Sequence, residues 1–237
     1  MSNIQKIARQ ALITFTSRDH TAFATNFEKL KCLAISIKPS DINLELPIKE
    51  LSTTTRRFTA PVLYVSIAES KYFTLGVFVL KNGVSIPLHD HPGMHGICKV
   101  LYGAVKVKSY DVLPRQYDDG NDCATPNASI GRKQIRCKYS GERIFDSESE
   151  SCMLSPGHGN FHSIQSINGQ AAFLDILAPP YVTGERDCSY YKECSFSNSK
   201  PLSSENDSIR WLVEIPQPMD FYCDSLPYKG PPIELEE

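Results

Sequence analysis

The sequence lacks any apolar run near the roughly 18 residues that a membrane-spanning helix needs, so no span is expected. It also lacks an excess of either charge: 25 Lys and Arg stand against 27 Asp and Glu, a formal net charge of -2. That balance gives neither nucleic acid nor an anionic membrane an electrostatic hold, and neither is expected as a partner. The first twenty residues lack the continuous apolar stretch of a secretory signal. Lys6, Arg9 and Arg18 precede the first acid, Asp19. A mitochondrial presequence therefore stands as an alternative to a surface helix packed on the body of the protein. The eight cysteines (32, 98, 123, 137, 152, 188, 194 and 223) show no C-x-x-C pair and no zinc-ribbon spacing. Most are read as free thiols in a reducing compartment. The cytoplasm is the default location, with nucleus and mitochondrion as alternatives. Internal repeats and low-complexity tracts are absent, and no heptad asks for a second copy, so a monomer is expected.

What is present is enough to bury a sizeable core: 237 residues, 41% of them hydrophobic. One domain is expected, with helices over about 4–34, a barrel over about 61–223 and a tail from 224 to 237. Ile4, Ile7, Ala8 and Ala11, then Phe23, Phe27, Leu30 and Leu33, repeat at helical spacing. From Pro61 onward the texture changes to short β-type runs, at 61–67, 73–80, 84–91, 97–103, 104–111, 133–140, 152–155, 161–167, 171–179 and 188–196. Turn residues separate them: Lys81-Asn82-Gly83, Pro92-Gly93, Gly103, Ser155-Pro156-Gly157 and Asn168-Gly169. Many short strands at close spacing predict an all-β antiparallel barrel or sandwich. Residues 113–132 and 197–209 read as surface loops, and the proline-rich tail as an extended cover for an edge.

Chemistry concentrates in Gly83-Val-Ser-Ile-Pro-Leu-His89-Asp90-His91-Pro92-Gly93. Period two places both imidazoles on one strand face and Asp90 on the other. Two neutral imidazoles side by side are a ligand pair for iron, zinc or copper. On their own they read equally well as incidental surface histidines.

The G-x5-H-x-H arrangement, closed by Gly103, resembles the first motif of the cupin superfamily. Pro156-Gly-His158-Gly159-Asn-Phe-His162 resembles the second, which supplies a last histidine; Pro156 sits one place early and Ser166 stands where Asn is usual. The first motif departs in a more telling way. Cupins commonly place a Glu four or five residues after the second histidine, and here those positions are His95 and Gly96. A site of three neutral histidines leaves a divalent ion with its full charge, which favours an anionic thiolate brought by the substrate. Over the longer blocks 87–103, 159–162 and 173–181 the chain resembles the cysteamine (2-aminoethanethiol) dioxygenase and plant cysteine oxidase family, animal branch.

The resemblance implies a cupin double-stranded β-helix barrel of jelly-roll type with a short helical N-terminus. It implies Fe(II) held by His89, His91 and His162, with O2 as co-substrate and a thiol oxidised to a sulfinic acid. His95 and His158 compete for the third ligand position; His162 is preferred because it begins a strand and keeps the family spacing. The substrate would be cysteamine, the N-terminal cysteine of peptides or proteins, or both, the second role coupling oxygen to protein degradation. Asp175, an acid in the apolar strand AAFLDILAP, would be hydrogen-bonded to a ligand histidine or face the substrate ammonium; it could equally cap a loop at the barrel mouth. Tyr64 and Tyr181 match pocket-lining positions and read otherwise as core aromatics. Cys188 and Tyr190 match a segment for which a thioether cross-link has been proposed. Another metal-dependent cupin, such as a sugar-phosphate isomerase, would want the missing carboxylate and a basic phosphate site. A ligand-binding cupin with a degenerate site is disfavoured because all three histidines are present.

Overall fold

A computed structural model of the chain describes residues 1–48, 60–113, 134–194 and 208–235. Two helices, α1 (Asn3–Thr16) and α2 (His20–Ile35), precede the sheet. Its strands are β1 (Val62–Glu69), β2 (Thr74–Leu80), β3 (Ser85–His89), β4 (His95–Val112), β5 (Gln134–Asp146), β6 (Cys152–Leu154), β7 (Phe161–Ala178), β8 (Tyr190–Glu193), β9 (Ile209–Ile215) and β10 (Cys223–Ser225). Their order is β10-β1-β2-β7-β3-β8-β9-β5-β4-β6, and β4 also pairs with β7. That additional pairing closes β7, β3, β8, β9, β5 and β4 into a ring. Every pairing between the strands is antiparallel except β1 with β10. The fold is the expected all-β antiparallel closed barrel, preceded by two α-helices.

Alternation along the strands divides the apolar residues between two faces. Leu63, Val65 and Ile67 of β1, Leu75, Val77 and Val79 of β2, and Ala172, Leu174 and Ile176 of β7 pack under Ile4, Ile7 and Ala8 of α1 and Leu30 of α2. A helix the length of α1 is marginal alone in water, so this contact is what holds it. Ser2 and Asp19 cap the two helix starts, accepting from the Gln5 and Ala22 N–H groups. The opposite face, with Val62, Leu80, Val100, Val105, Val107, Ile164 and Phe173, fills the barrel. The tail covers the β1 edge. The Leu226 N–H donates to the Tyr64 carbonyl at 2.9 Å, and the Gln5 amide exchanges hydrogen bonds with the Glu234 backbone at 2.7 and 2.9 Å.

Two expected turns prove to lie inside long strands. Gly103 sits within β4 and Asn168-Gly169 within β7, so 97–103 and 104–111 are one strand, as are 161–167 and 171–179. Positive φ at Gly103 (68°), Asn168 (58°) and Gly169 (137°) bends the strands instead of ending them. The β4–β7 register shifts on either side of Tyr102, as at a bulge. A Cβ at Gly103 would overlap the Gln170 carbonyl oxygen. Gly103→Ala is therefore expected to destabilise the protein by at least about 2 kcal/mol, from left-handed backbone plus overlap. Urea denaturation of the two proteins checks this. The loops expected at 113–132 and 197–209 lie outside the described residues, apart from Leu113, Ser208 and Ile209. Ile209 opens β9, a strand absent from the expected set.

Candidate metal centre

His89 ends β3 and His162 lies near the start of β7; the two are direct register partners on neighbouring strands. His91 stands just past the end of β3, in the turn that leads through Pro92-Gly93 to β4. The three rings converge, with centroids 4.7–4.8 Å apart. One nitrogen of each lies within 4.8 Å of the others, the only such cluster of metal-ligating groups among the described residues. All three are buried. Burial lowers their basicity: His89 falls to about 4, and His91 and His162 fall well below the ordinary range, with the neighbouring rings adding to the effect. The rings are therefore neutral at pH 7, the form that ligates metal.

Hydrogen bonds aim the rings. His89 Nδ1 faces the Pro87 carbonyl at 2.8 Å, which can only accept, so that nitrogen carries the proton. His162 is held by the Gly159 backbone. The Tyr181 hydroxyl lies 2.7 Å from both His91 Nδ1 and the Asp90 carbonyl. It can donate to Asp90 while accepting from His91 Nδ1–H. In that tautomer the Nε2 atoms of His91 and His162, 3.1 Å apart, present two lone pairs to each other. A cation between them removes that repulsion, so the donor set suits a divalent metal bound through nitrogen.

Asp90 points away from the cluster, opposite the histidines. Its carboxylate accepts from the Ser189 N–H at 2.8 Å and the Tyr191 hydroxyl at 3.1 Å. The barrel ring closes here, with His89 the register partner of Tyr190. The Cys188 thiol lies beside the hydroxyls of both Tyr181 and Tyr190, and Tyr190 stands 6.5 Å from His89, ring to ring. Tyr181, Cys188 and Tyr190 thus gather on one flank of the histidines.

Asp175 and Tyr64 line the interior farther along. Asp175 pairs with Gly76 on one side and Cys98 on the other, and Cys98 pairs with Cys152. Gly76 is required by close approach, since the Tyr64 ring occupies the space of its Cβ. No hydrogen bond to the Asp175 carboxyl is found among the described residues, so it is not held by a ligand histidine. Burial alone raises it from 3.8 to about 7. Burial raises Tyr64 to about 12 and pushes up Cys98, Cys152 and Tyr181, and the nearby Asp175 adds to each shift.

The two competing histidines lie elsewhere. His158 is exposed on a turn beside Asp111. His95 packs against Phe23 and Phe27 of α2, on the helix side of the sheet. Asn160 was not anticipated: buried, it bonds the His91 backbone at 3.2 and 2.6 Å. Its position two residues before His162 was the only sequence signal.

A family model described as PCO_ADO matches residues 33–233. Over 98% of its length the chain is 41% identical to the 2-aminoethanethiol dioxygenase of Mus musculus, covering 96% of that protein. It is 38% identical to the 2-aminoethanethiol dioxygenase of Homo sapiens, at 98% and 97% coverage. Plant cysteine oxidase 2 of Arabidopsis thaliana is 27% identical over 88% of this chain and 74% of its own. Among solved structures, a cupin superfamily protein of Desulfitobacterium hafniense aligns with a TM-score of 0.34 and 16% identity, covering 57% of this chain and 93% of that one.

Proposed function

The chain belongs to the PCO_ADO family, and on that premise we propose that it is a non-haem Fe(II) thiol dioxygenase. The reaction is RSH + O2 → RSO2H, both oxygen atoms ending on sulfur. The observation that carries the reading is the cluster of three buried histidines inside a barrel whose β7 also carries Asp175, an acid with no hydrogen bond to its carboxyl among the described residues and raised by burial. Cysteamine and an N-terminal cysteine share an amine two carbons from a thiol, so a thiol-binding metal and an ammonium-binding acid match both substrates. Relatives named for 2-aminoethanethiol and for cysteine support the same pair.

His89, His91 and His162 would hold the iron, which supplies the redox chemistry that joins O2 to sulfur. Around it the chain's own residues bind and orient. Tyr181 keeps the His91 proton on Nδ1 by giving its own to the Asp90 carbonyl. Asp175 receives the substrate ammonium. Cys188 and Tyr190 would flank the substrate beside His89, and Tyr64, packed against Gly76, would bound its far end. The apolar residues between the sheets exclude water, which strengthens each of these contacts.

Among the described residues no helix is long and apolar enough to cross a membrane. A single-domain, monomeric enzyme of the cytoplasm, oxidising N-terminal cysteines when oxygen is plentiful, is the biological setting we propose. Anaerobic loading with Fe(II), then air and a peptide beginning with Cys, tests the activity; cysteamine runs in parallel. A gain of two oxygen atoms on the peptide supports the wider role, and oxidation of cysteamine alone restricts the enzyme to small aminothiols. If neither is oxidised while iron is bound, the dioxygenase reading fails.

A further inference from the structure

A metal site without an anionic ligand depends more than most on how its neutral ligands are held. Carboxylate and ion attract each other over several ångströms and can draw a loose site together. Three imidazoles offer only a short-range attraction, so they must already converge. His89 and His162 are fixed by the β3–β7 ladder in which they are partners. His91 is not, because β3 ends at His89. Its backbone needs another means of support.

Asn160 provides it. The His91 N–H donates to Asn160 Oδ1 at 3.2 Å, and Asn160 Nδ2 donates to the His91 carbonyl at 2.6 Å. The same Nδ2 donates to the Ser155 carbonyl at 3.2 Å. The amide orientation follows from these partners: two carbonyls can only accept and one N–H can only donate. The side chain thus treats residue 91 as a strand neighbour would, exchanging both of its backbone bonds. The His91 carbonyl also takes the Met94 N–H at 3.1 Å, closing the Pro92-Gly93 turn.

The other end of Asn160 is anchored as firmly. The preceding Gly159 N–H donates to Asp111 Oδ1 at 2.6 Å, and Asp111 Oδ2 is occupied by the Ser140 hydroxyl at 2.8 Å. Gly159 has a φ of 62° and lies with its would-be Cβ 3.1 Å from the Met153 carbonyl oxygen, so this turn calls for glycine. Its backbone also supports the His162 ring. One short segment, 159–160, therefore touches the ring of the third ligand and the backbone of the second. Asn160 is 5% exposed, and its two bonds to the His91 backbone are buried.

We propose that Asn160 is a positioning residue that presets the metal centre, acting through the His91 backbone to lock the turn after β3 onto the segment leading into β7. It touches neither metal nor substrate. Removing it frees His91 while leaving His89 and His162 in register. The inference rests on the three histidines being the ligands, and the test is arranged so that the two ideas fail separately.

Metal-free protein is titrated with Co(II), as a spectroscopic probe, and with Fe(II) under argon, both against a competing chelator. Thermal unfolding of each metal-free variant is recorded alongside. Asn160→Ala is expected to weaken metal binding by about 10–100-fold, the range for groups that orient ligands. Asn160→Asp keeps the size and the acceptor for the His91 N–H. It sets a carboxylate against two carbonyl oxygens, so it should bind metal no better than the alanine variant. A role in packing alone predicts the opposite order. Asp111→Ala, cut from the supporting end, should weaken binding in the same direction by a smaller factor. Wild-type affinity in Asn160→Ala or Asn160→Asp overturns the proposal. So does a loss of affinity fully explained by the unfolded fraction at the titration temperature. Failure of the wild-type protein to bind either ion would instead overturn the three-histidine assignment.

Discussion

His162→Ala is expected to fold, to bind no iron at micromolar concentrations and to oxidise neither cysteamine nor a peptide beginning with Cys. The argument starts from ligand number. His89, His91 and His162 form the one metal-ligating cluster among the described residues, and the positions where a carboxylate could substitute are His95 and Gly96. His95 points to the helix side of the sheet, against Phe23 and Phe27, and cannot swing in. His158 is exposed beside Asp111. Nothing replaces the lost nitrogen, so the fall in affinity should exceed the roughly 100-fold attached to groups that merely orient a ligand. The fold should survive for a separate reason. His162 opposes His89 on β3 and Ser109 on β4 through backbone pairing that alanine keeps. Alanine also removes a buried polar ring that, without metal, faces the His91 nitrogen at 3.1 Å. Metal content by elemental analysis, circular dichroism and product mass check the three parts. A variant that retains iron and turnover would return the metal to another ligand set.

The sequence carried the three clustered histidines because they are local or tied to a spacing. His89 and His91 are two residues apart, and Gly159 marks the turn before His162. It carried the helices through their apolar period. The strand ends were harder to read, and the reason is physical. Gly103 and Asn168-Gly169 signal backbone with positive φ, and a chain uses that conformation both to turn and to bulge. Only the partner strand decides which, and β4 and β7 are partners over nearly their whole length. Asp90 and Asn160 were illegible for a related reason. Each owes its role to hydrogen bonds spanning 69 to 101 residues of sequence. Asp175 was legible as an oddity, an acid among Phe173, Leu174, Ile176 and Leu177. Whether it pairs with a ligand histidine needed the three-dimensional arrangement, in which no described residue hydrogen-bonds its carboxyl.

The burial of Asp175 sets the last expectation: Asp175→Asn should make the empty enzyme more stable at pH 8 and a much poorer catalyst. Burial raises the carboxyl from 3.8 to about 7. Between those values the folded protein holds a proton that the unfolded chain has released. Stability therefore falls as pH rises through this window, and is lowest above about 7, where the buried group must ionise. The displacement corresponds to about 4 kcal/mol at most, and partial access to water reduces it. Asparagine removes that penalty, so the denaturation midpoints of the two proteins should converge near pH 4 and separate in favour of Asn at pH 8. Catalysis should move the other way. An ammonium beside the carboxylate stabilises its charged form and supplies the missing partner. The KM of wild type for cysteamine should rise as pH falls below about 7, where protonated Asp175 offers no charge. In Asp175→Asn the KM should be high throughout, by about 10-fold or more, and this pH dependence should be absent, with iron content unchanged. A thiol without an amine, such as 2-mercaptoethanol, should distinguish the two proteins little. If Asn costs cysteamine and the amine-free thiol equally, Asp175 does not bind the ammonium, and its burial must be explained by the reaction at sulfur instead.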